Sequence, residues 1–283
     1  MKLICEDGGM PAAHLPFAKM HGLRNDYVVV DATAHAPTDP AALARATGDR
    51  RGGVGSDGLL LALPSETADV RMRMFNPDGS EAEMCGNGLR CLALFAAREG
   101  LVPDAASMSV ETGAGILHAQ VDAADGGAEG RVTVDMGPPE LLGSVDLHVH
   151  GYVIEAQRVS MGNPHAVIFV PDVEQAPVDG MGPRIETDDA FPNRTNVEFV
   201  EVVDRGHVRQ RTWERGAGET LACGTGACAV VVAGVETGRL DRTVRVDLRG
   251  GPLDITWRED GRIEMTGPAV FVFDGQWPAG TGA

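Results

Sequence analysis

The sequence predicts an α+β fold of two pseudo-symmetric lobes, each a largely antiparallel sheet wrapped around a central helix, with the active site in the cleft between them. Three observations carry this prediction. Short apolar and β-branched runs recur between Gly, Pro and Asp turns. Only three stretches carry helical patterning, too few for a regular alternation of strand and helix. A stretch of the first half also reappears in order, without gaps, 138 residues later.

From the N-terminus, MKLICEDGGMPAAH is mixed and polar and reads as an extension ahead of the fold. YVVVD (27–31) is the first clear strand, followed by a helix over about 39–48 and the strand GLLLAL (58–63). GVGSDG (53–58) satisfies G-x-G-x-x-G, but the run after it is a strand where a dinucleotide fingerprint needs a helix. VRMRMFN (70–76) alternates with the period of a half-buried strand. A second helix covers 88–99, and RVTVDM (131–136) closes the first half near a boundary at DMGPPE (135–140). The second half offers HAVIFV (165–170), NVEFVEVV (196–203), HVRQRTW (207–213), a helix over 225–237 and AVFVFDG (269–275). The expected division is 1–135 for the first lobe and 136–267 for the second, with 268–283 after them.

The repeat aligns Val70 with Val208, Arg73 with Arg211, Phe75 with Trp213, Glu81 with Glu219 and Cys85 with Cys223. Both cysteines precede Gly-x-Gly (Gly86 and Gly88; Gly224 and Gly226) and an apolar helix, which Gly100 or Gly238 then stops. Two similar lobes bind ligand in the cleft between them.

At 283 residues and 43% hydrophobic the chain can bury a substantial core, and its formal charge of −17 argues against nucleic acid as a partner. No apolar run approaches the length of a membrane span, and the opening lacks the pattern of a secretory leader. The five cysteines are an odd number without C-x-x-C spacing, so free thiols in a reducing cytoplasm are expected, with no metal site. Lys2 and Lys19 are the only lysines, and neither has a context for a Schiff base with pyridoxal phosphate.

A cysteine at a helix N-terminus meets unpaired N–H groups and the positive end of the helix dipole, which stabilise a thiolate. The same groups bind anions, and glycine lets a carboxylate come close. Two such thiols facing one carbon across a cleft can remove a proton from one face and return one to the other. A single cysteine before a glycine turn is more often packing than chemistry; the matched pair favours chemistry. Cys91 and Cys228 fall on apolar helix faces and read as core, and Cys5 as incidental. Asn76 and Pro77, like Glu214 and Arg215, lie nine and eight residues before their cysteines, so both loops can reach the cleft.

KMHGLRNDYVVVD, FNPDGSEAEMCGNGLRC, SMGNPHAVIF, NRTNVEF and ERGAGETLACGTGACA together resemble the diaminopimelate epimerase family, over roughly residues 18–275. Asn87 and the complete ERGAGET set the chain apart from proline-racemase-like relatives. The resemblance implies a two-lobed fold whose C-terminal strand, 268–283, returns to the first lobe. It implies a homodimeric, cytoplasmic isomerase that interconverts L,L- and meso-diaminopimelate without a cofactor, in lysine and peptidoglycan synthesis. It implies Cys85 and Cys223 as the catalytic pair and His165 and Glu214 as residues that tune the thiols. Gly86, Asn87, Gly224 and Thr225 would hold the reacting carboxylate. Asn25, Asn76, Asn163, Asn196, Glu214 and Arg215 would grip the rest of the substrate. Arg24, Gly58 and Pro77 depart from the family pattern, which usually has glycine, sometimes an amide, and alanine there. Competing readings are inversion of another amino acid, of lysine, histidine or proline type, and a thiol-redox or binding role.

Overall fold

Two copies of one strand-and-helix plan share a single closing strand. The computed structural model describes residues 14–82, 84–123 and 128–278; Cys5 and nearly all of the polar opening lie outside them. The first copy comprises β1 (His14–Gly22), β2 (Asn25–Asp31), α1 (Pro40–Gly48), β3 (Gly58–Leu63), β4 (Val70–Phe75), β5 (Glu81–Ala82), α2 (Gly86–Arg98), β6 (Met108–Thr112), β7 (Gly115–Ala123) and β8 (Glu129–Asp135). The second comprises β9 (Glu140–Val149), β10 (Tyr152–Ser160), β11 (Pro164–Phe169), α3 (Val178–Glu186), β12 (Asn196–Asp204), β13 (His207–Glu214), β14 (Gly218–Thr220), α4 (Gly224–Glu236), β15 (Thr243–Leu248), β16 (Gly251–Trp257) and β17 (Ile263–Pro278).

The offset of 138 extends well beyond the stretch in which sequence identity shows it. It relates β1 to β10, the starts of β3 and β12, α1 to α3, and α2 to α4. The parallel pairs obey it too: β2–β3 corresponds to β11–β12, and β4–β6 to β13–β15. The other ladders are antiparallel.

In the first lobe the strands close a ring, β1–β2–β3–β4–β6–β7–β8–β17 and back to β1, around α2. Gly86 through Ala96 of that helix are all buried. In the second lobe α4 is enclosed by the run β9–β10–β11–β12–β13–β15–β16–β17, and it is buried from Gly224 through Gly234. Both helices stop where the sequence predicts. Gly100 (φ 67°) and Gly238 (φ 70°) take the left-handed conformation, and Leu101 N–H and Arg239 N–H reach back to Ala96 O and Gly234 O.

GLLLAL is apolar at successive positions because both of its faces are covered. Leu60 and Ala62 point inward to α2, while Leu59 and Leu61 pack against Leu43 and Ala44 of α1. α3 covers β12 and β13 in the same way, though its glycines and internal Pro183 disguise it in the sequence. Gly182 is required there, since a Cβ would lie 2.6 Å from Trp213 Cγ.

Candidate active site

Cys85 and Cys223 each occupy the N-cap of a central helix in an extended conformation, with φ of −147° and −122°. They open onto one cavity of about 590 Å³ between the lobes. Asn25, Gly86, Asn87, Asn163, Glu214, Arg215, Gly224 and Thr225, all expected from the sequence, line it with them. Met265 of β17 sits between the helix ends: a Cβ on Gly86 would lie 3.0 Å from its Cε, and one on Gly224 2.9 Å from its Sδ. These glycines leave room for the Met265 side chain, in addition to any close approach of a ligand.

Three expected residues stand off the cavity wall. Asn76 turns its amide to Ser80 Oγ at 3.0 Å, in the turn between β4 and β5. Asn196 is buried and acts through its neighbours, donating to Pro164 O and accepting from Arg215 N–H at 3.0 Å. His165 lies beneath the wall, 1% exposed.

On the first-lobe side the tight turn between β1 and β2 passes through Leu23 (φ 56°) and Arg24 (φ 66°), so arginine occupies a conformation that favours glycine. The turn presents Asn25, whose Nδ2 donates to Asp57 Oδ2 at 2.9 Å. Its Oδ1 accepts from Asn87 Nδ2 at 3.2 Å and from the Tyr27 hydroxyl. Burial would raise the Asp26 carboxyl, but hydrogen bonds from Arg50 and Lys19 outweigh it and hold it at about 2. Lys19 is thereby committed to Asp26 and to Gly55 O. Asn87 also donates to Ala222 O of the second lobe at 3.3 Å and accepts from the fully buried Arg90 at 2.7 Å.

On the second-lobe side a chain of side chains runs under Cys223. Thr225 Oγ1 accepts from Asn163 Nδ2 at 3.3 Å; Asn163 Oδ1 accepts from His165 Nε2–H at 3.0 Å; His165 Nδ1 meets Glu198 Oε1 at 2.8 Å. Glu198 was missed by sequence reasoning because NVEFVEVV reads simply as a strand; β12 is buried on both faces from Asn196 through Val200, so its carboxylate points into the protein.

A helix N-terminus by itself lowers a thiol pKa. At Cys223 other forces win. Burial, then the Glu214 and Glu198 carboxylates, push the thiol well up, against partial relief from Thr225 and the Gly226 N–H, which donates to Sγ at 3.4 Å. Burial likewise raises the Glu214 carboxyl. Cys91 and Cys228 are fully buried in the helices, as expected of core residues, and burial pushes both thiols up to about 12.

Residues 17–142 and 158–272 match the family model described as diaminopimelate epimerase. The chain is 52% identical over 280 residues to the diaminopimelate epimerase of Desulforudis audaxviator, covering 93% of this chain and 99% of that protein. To the enzyme of Moorella thermoacetica it is 51% identical over 277 residues, with coverage of 93% and 99%. Its fold is similar to that of a phenazine biosynthesis protein of the PhzF family from Bacillus anthracis, with a TM-score of 0.73 at 20% identity, covering 93% of this chain and 99% of that one. The paired cysteine-capped helices thus come with sequence similarity along nearly the whole chain, and the chain belongs to the diaminopimelate epimerase family.

Proposed function

We propose that this isomerase interconverts L,L- and meso-diaminopimelate by a two-base reaction, with Cys85 and Cys223 on opposite faces of one α-carbon. The observation that carries the mechanism is the pair of sulfurs capping pseudo-symmetric helices and opening onto one cavity. One thiolate takes the α-hydrogen as a proton. The C–H electron pair moves into the carboxylate, and the opposite thiol protonates the other face, so the sulfurs exchange roles. N–H groups at Gly86–Asn87 and Gly224–Thr225 stabilise the charge gathered on the carboxylate oxygens in a largely water-free cleft. The proton inventory closes on the two thiols, so no cofactor is needed.

Asn25, Asn163 and Arg215 hold the distal amino-acid end, Asn196 supports Arg215 from behind, and Glu214 faces the reacting amino group. Asn76 contributes through the order of its turn. His165, bonded to Glu198, tunes Cys223 together with Glu214. Residues up to 135 with the strand from 268 onward form one functional lobe, and 136–267 the other. The exposed Val272 and Phe273 of β17 offer an apolar patch for a homodimer, and free thiols suit the cytoplasm, where the product feeds lysine and peptidoglycan synthesis.

Exchange of the α-hydrogen in heavy water tests this reading, with diaminopimelate compared against lysine, histidine and proline. Exchange with diaminopimelate that vanishes in Cys85→Ala and Cys223→Ala is expected. Exchange confined to another amino acid would overturn the substrate, and persistence in either variant would overturn the two-base mechanism.

A further inference from the structure

The offset of 138 sets Tyr27 opposite His165, Leu60 opposite Glu198 and Gly88 opposite Gly226. The structure confirms that these are equivalent places beneath the two cysteines. A Cβ on Gly226 would meet Glu198 Oε1 at 2.6 Å; one on Gly88 would meet Leu60 Cδ2 at 3.1 Å and Tyr27 Cζ at 3.6 Å. The second-lobe sulfur therefore rests over a carboxylate that His165 bonds in turn, and the first-lobe sulfur over a phenol and a leucine. Tyr27 is fully buried, and its hydroxyl lies 3.1 Å from Cys85 Sγ.

We propose that Tyr27 is the positioning residue for Cys85, donating its hydroxyl proton to the Cys85 thiolate and so holding that sulfur ready as a base. This rests on the two-base reading above. The hydroxyl has one proton and two acceptors, Asn25 Oδ1 and Cys85 Sγ. When Cys85 is a thiol, its S–H turns to the Tyr27 oxygen and Tyr27 donates to Asn25. When Cys85 is a thiolate, Tyr27 donates to sulfur, and Asn25 Oδ1 keeps its bond from Asn87. The switch moves only a hydroxyl hydrogen. Burial first, and the Cys85 sulfur second, push the Tyr27 phenol well above its ordinary range, so it keeps the proton it must donate. The other charged and titratable groups facing this pair are Asp57 ahead of β3 and Arg90 and Cys91 of α2. Arg90 bonds to Asn87, Gly86 O and Pro268 O, with no carboxylate partner among the described residues. Its charge faces Cys85, whereas the Glu214 and Glu198 carboxylates face Cys223 and push that thiol up. The two sulfurs thus sit in unlike surroundings.

The test is the pH dependence of iodoacetamide alkylation, resolved by mass spectrometry into the Cys85 and Cys223 peptides. Loss of a hydrogen bond to a charged sulfur in Tyr27→Phe is expected to raise the Cys85 midpoint by about one pH unit, roughly tenfold less thiolate at neutral pH, and to leave Cys223 unmoved. Turnover falls about tenfold, with KM within about twofold. Incorporation of 3-fluorotyrosine keeps the ring and makes a stronger donor. It reaches only Tyr27 and the exposed Tyr152, and is expected to lower the Cys85 midpoint. A Cys85 midpoint unmoved by both changes, or an equal shift at Cys223, overturns the inference. A rise in KM with both midpoints unmoved would assign Tyr27 to holding Asn25 alone and also overturn it. Failure of the underlying reading shows separately, as α-hydrogen exchange that persists in Cys85→Ala.

Discussion

Replacing Gly226 with alanine puts a methyl group where the structure holds a buried carboxylate. The new Cβ would lie 2.6 Å from Glu198 Oε1 and 3.2 Å from both Cys223 Sγ and Gln210 Nε2. Glu198 is fully buried and must rotate away, which breaks its 2.8 Å bond to His165. Losing a bond of that charged kind costs about 1.5–3 kcal/mol, and overpacking adds about 1–3 kcal/mol. Helix propensity returns only about 1 kcal/mol. The net expectation is a destabilisation of about 2–4 kcal/mol, with turnover reduced at least tenfold because His165 loses its anchor. The matching change, Gly88→Ala, meets a leucine methyl at 3.1 Å that can yield by a few tenths of an ångström. There the strain of about 1 kcal/mol is offset by propensity, so stability stays within about 1 kcal/mol of wild type. Urea unfolding of both variants at unchanged m-value, with α-hydrogen exchange rates alongside, makes the comparison. Equal effects at the two glycines, or a larger one at Gly88, would refute the claim that the lobes differ in what lies under their cysteines.

Arg24→Gly relieves a left-handed arginine and is expected to raise stability by about 0.5–1 kcal/mol, after allowing for the extra freedom of glycine in the unfolded chain; the urea midpoint measures it. Glu214 has a folded-state pKa above its unfolded value, so the stability linked to it is complete at acid pH and declines as pH rises through the raised pKa. Glu214→Gln should accordingly lose less stability than wild type between pH 5 and 8, and should also lower the alkylation midpoint of Cys223 by removing a neighbouring negative charge. Mild oxidation is expected to join Cys85 to Cys223 and stop turnover until a reductant is added; full activity after mass-spectrometric proof of that bond would refute the shared site.

The helices α2 and α4 were legible because every local signal agreed: an apolar run, a glycine-rich start and a glycine stop. The α1–α3 correspondence was not, because Gly180, Gly182 and Pro183 break the pattern of α3, and of these Gly182 makes room for Trp213. Within the site, the cysteines stood out through the repeat and Glu214 and Arg215 through their spacing from Cys223, whereas Asn25, Asn87, Asn163 and Thr225 came from the family resemblance. Beneath the wall, His165 came from the resemblance too, and three other residues carried no signal of either kind. Tyr27 and Glu198 sit in strands buried on both faces, where alternation carries no information, and Arg90 sits on an apolar helix as if solvated. Asn76 was expected at the cleft from its spacing and from the resemblance, and neither reveals the serine that takes its amide.

The position of β17 has a consequence for how the molecule is made. The first-lobe ring closes only when β17 enters between β1 and β8, although those partners are separated from it by the whole second lobe in the chain. During synthesis the first half must therefore wait as an open sheet with two bare edges, each a template for wrong pairing. The lobes cannot mature one after the other. β17 follows the second lobe in the chain and completes both, so a chain that stops ahead of β17 forfeits the closure of the first lobe as well as the second.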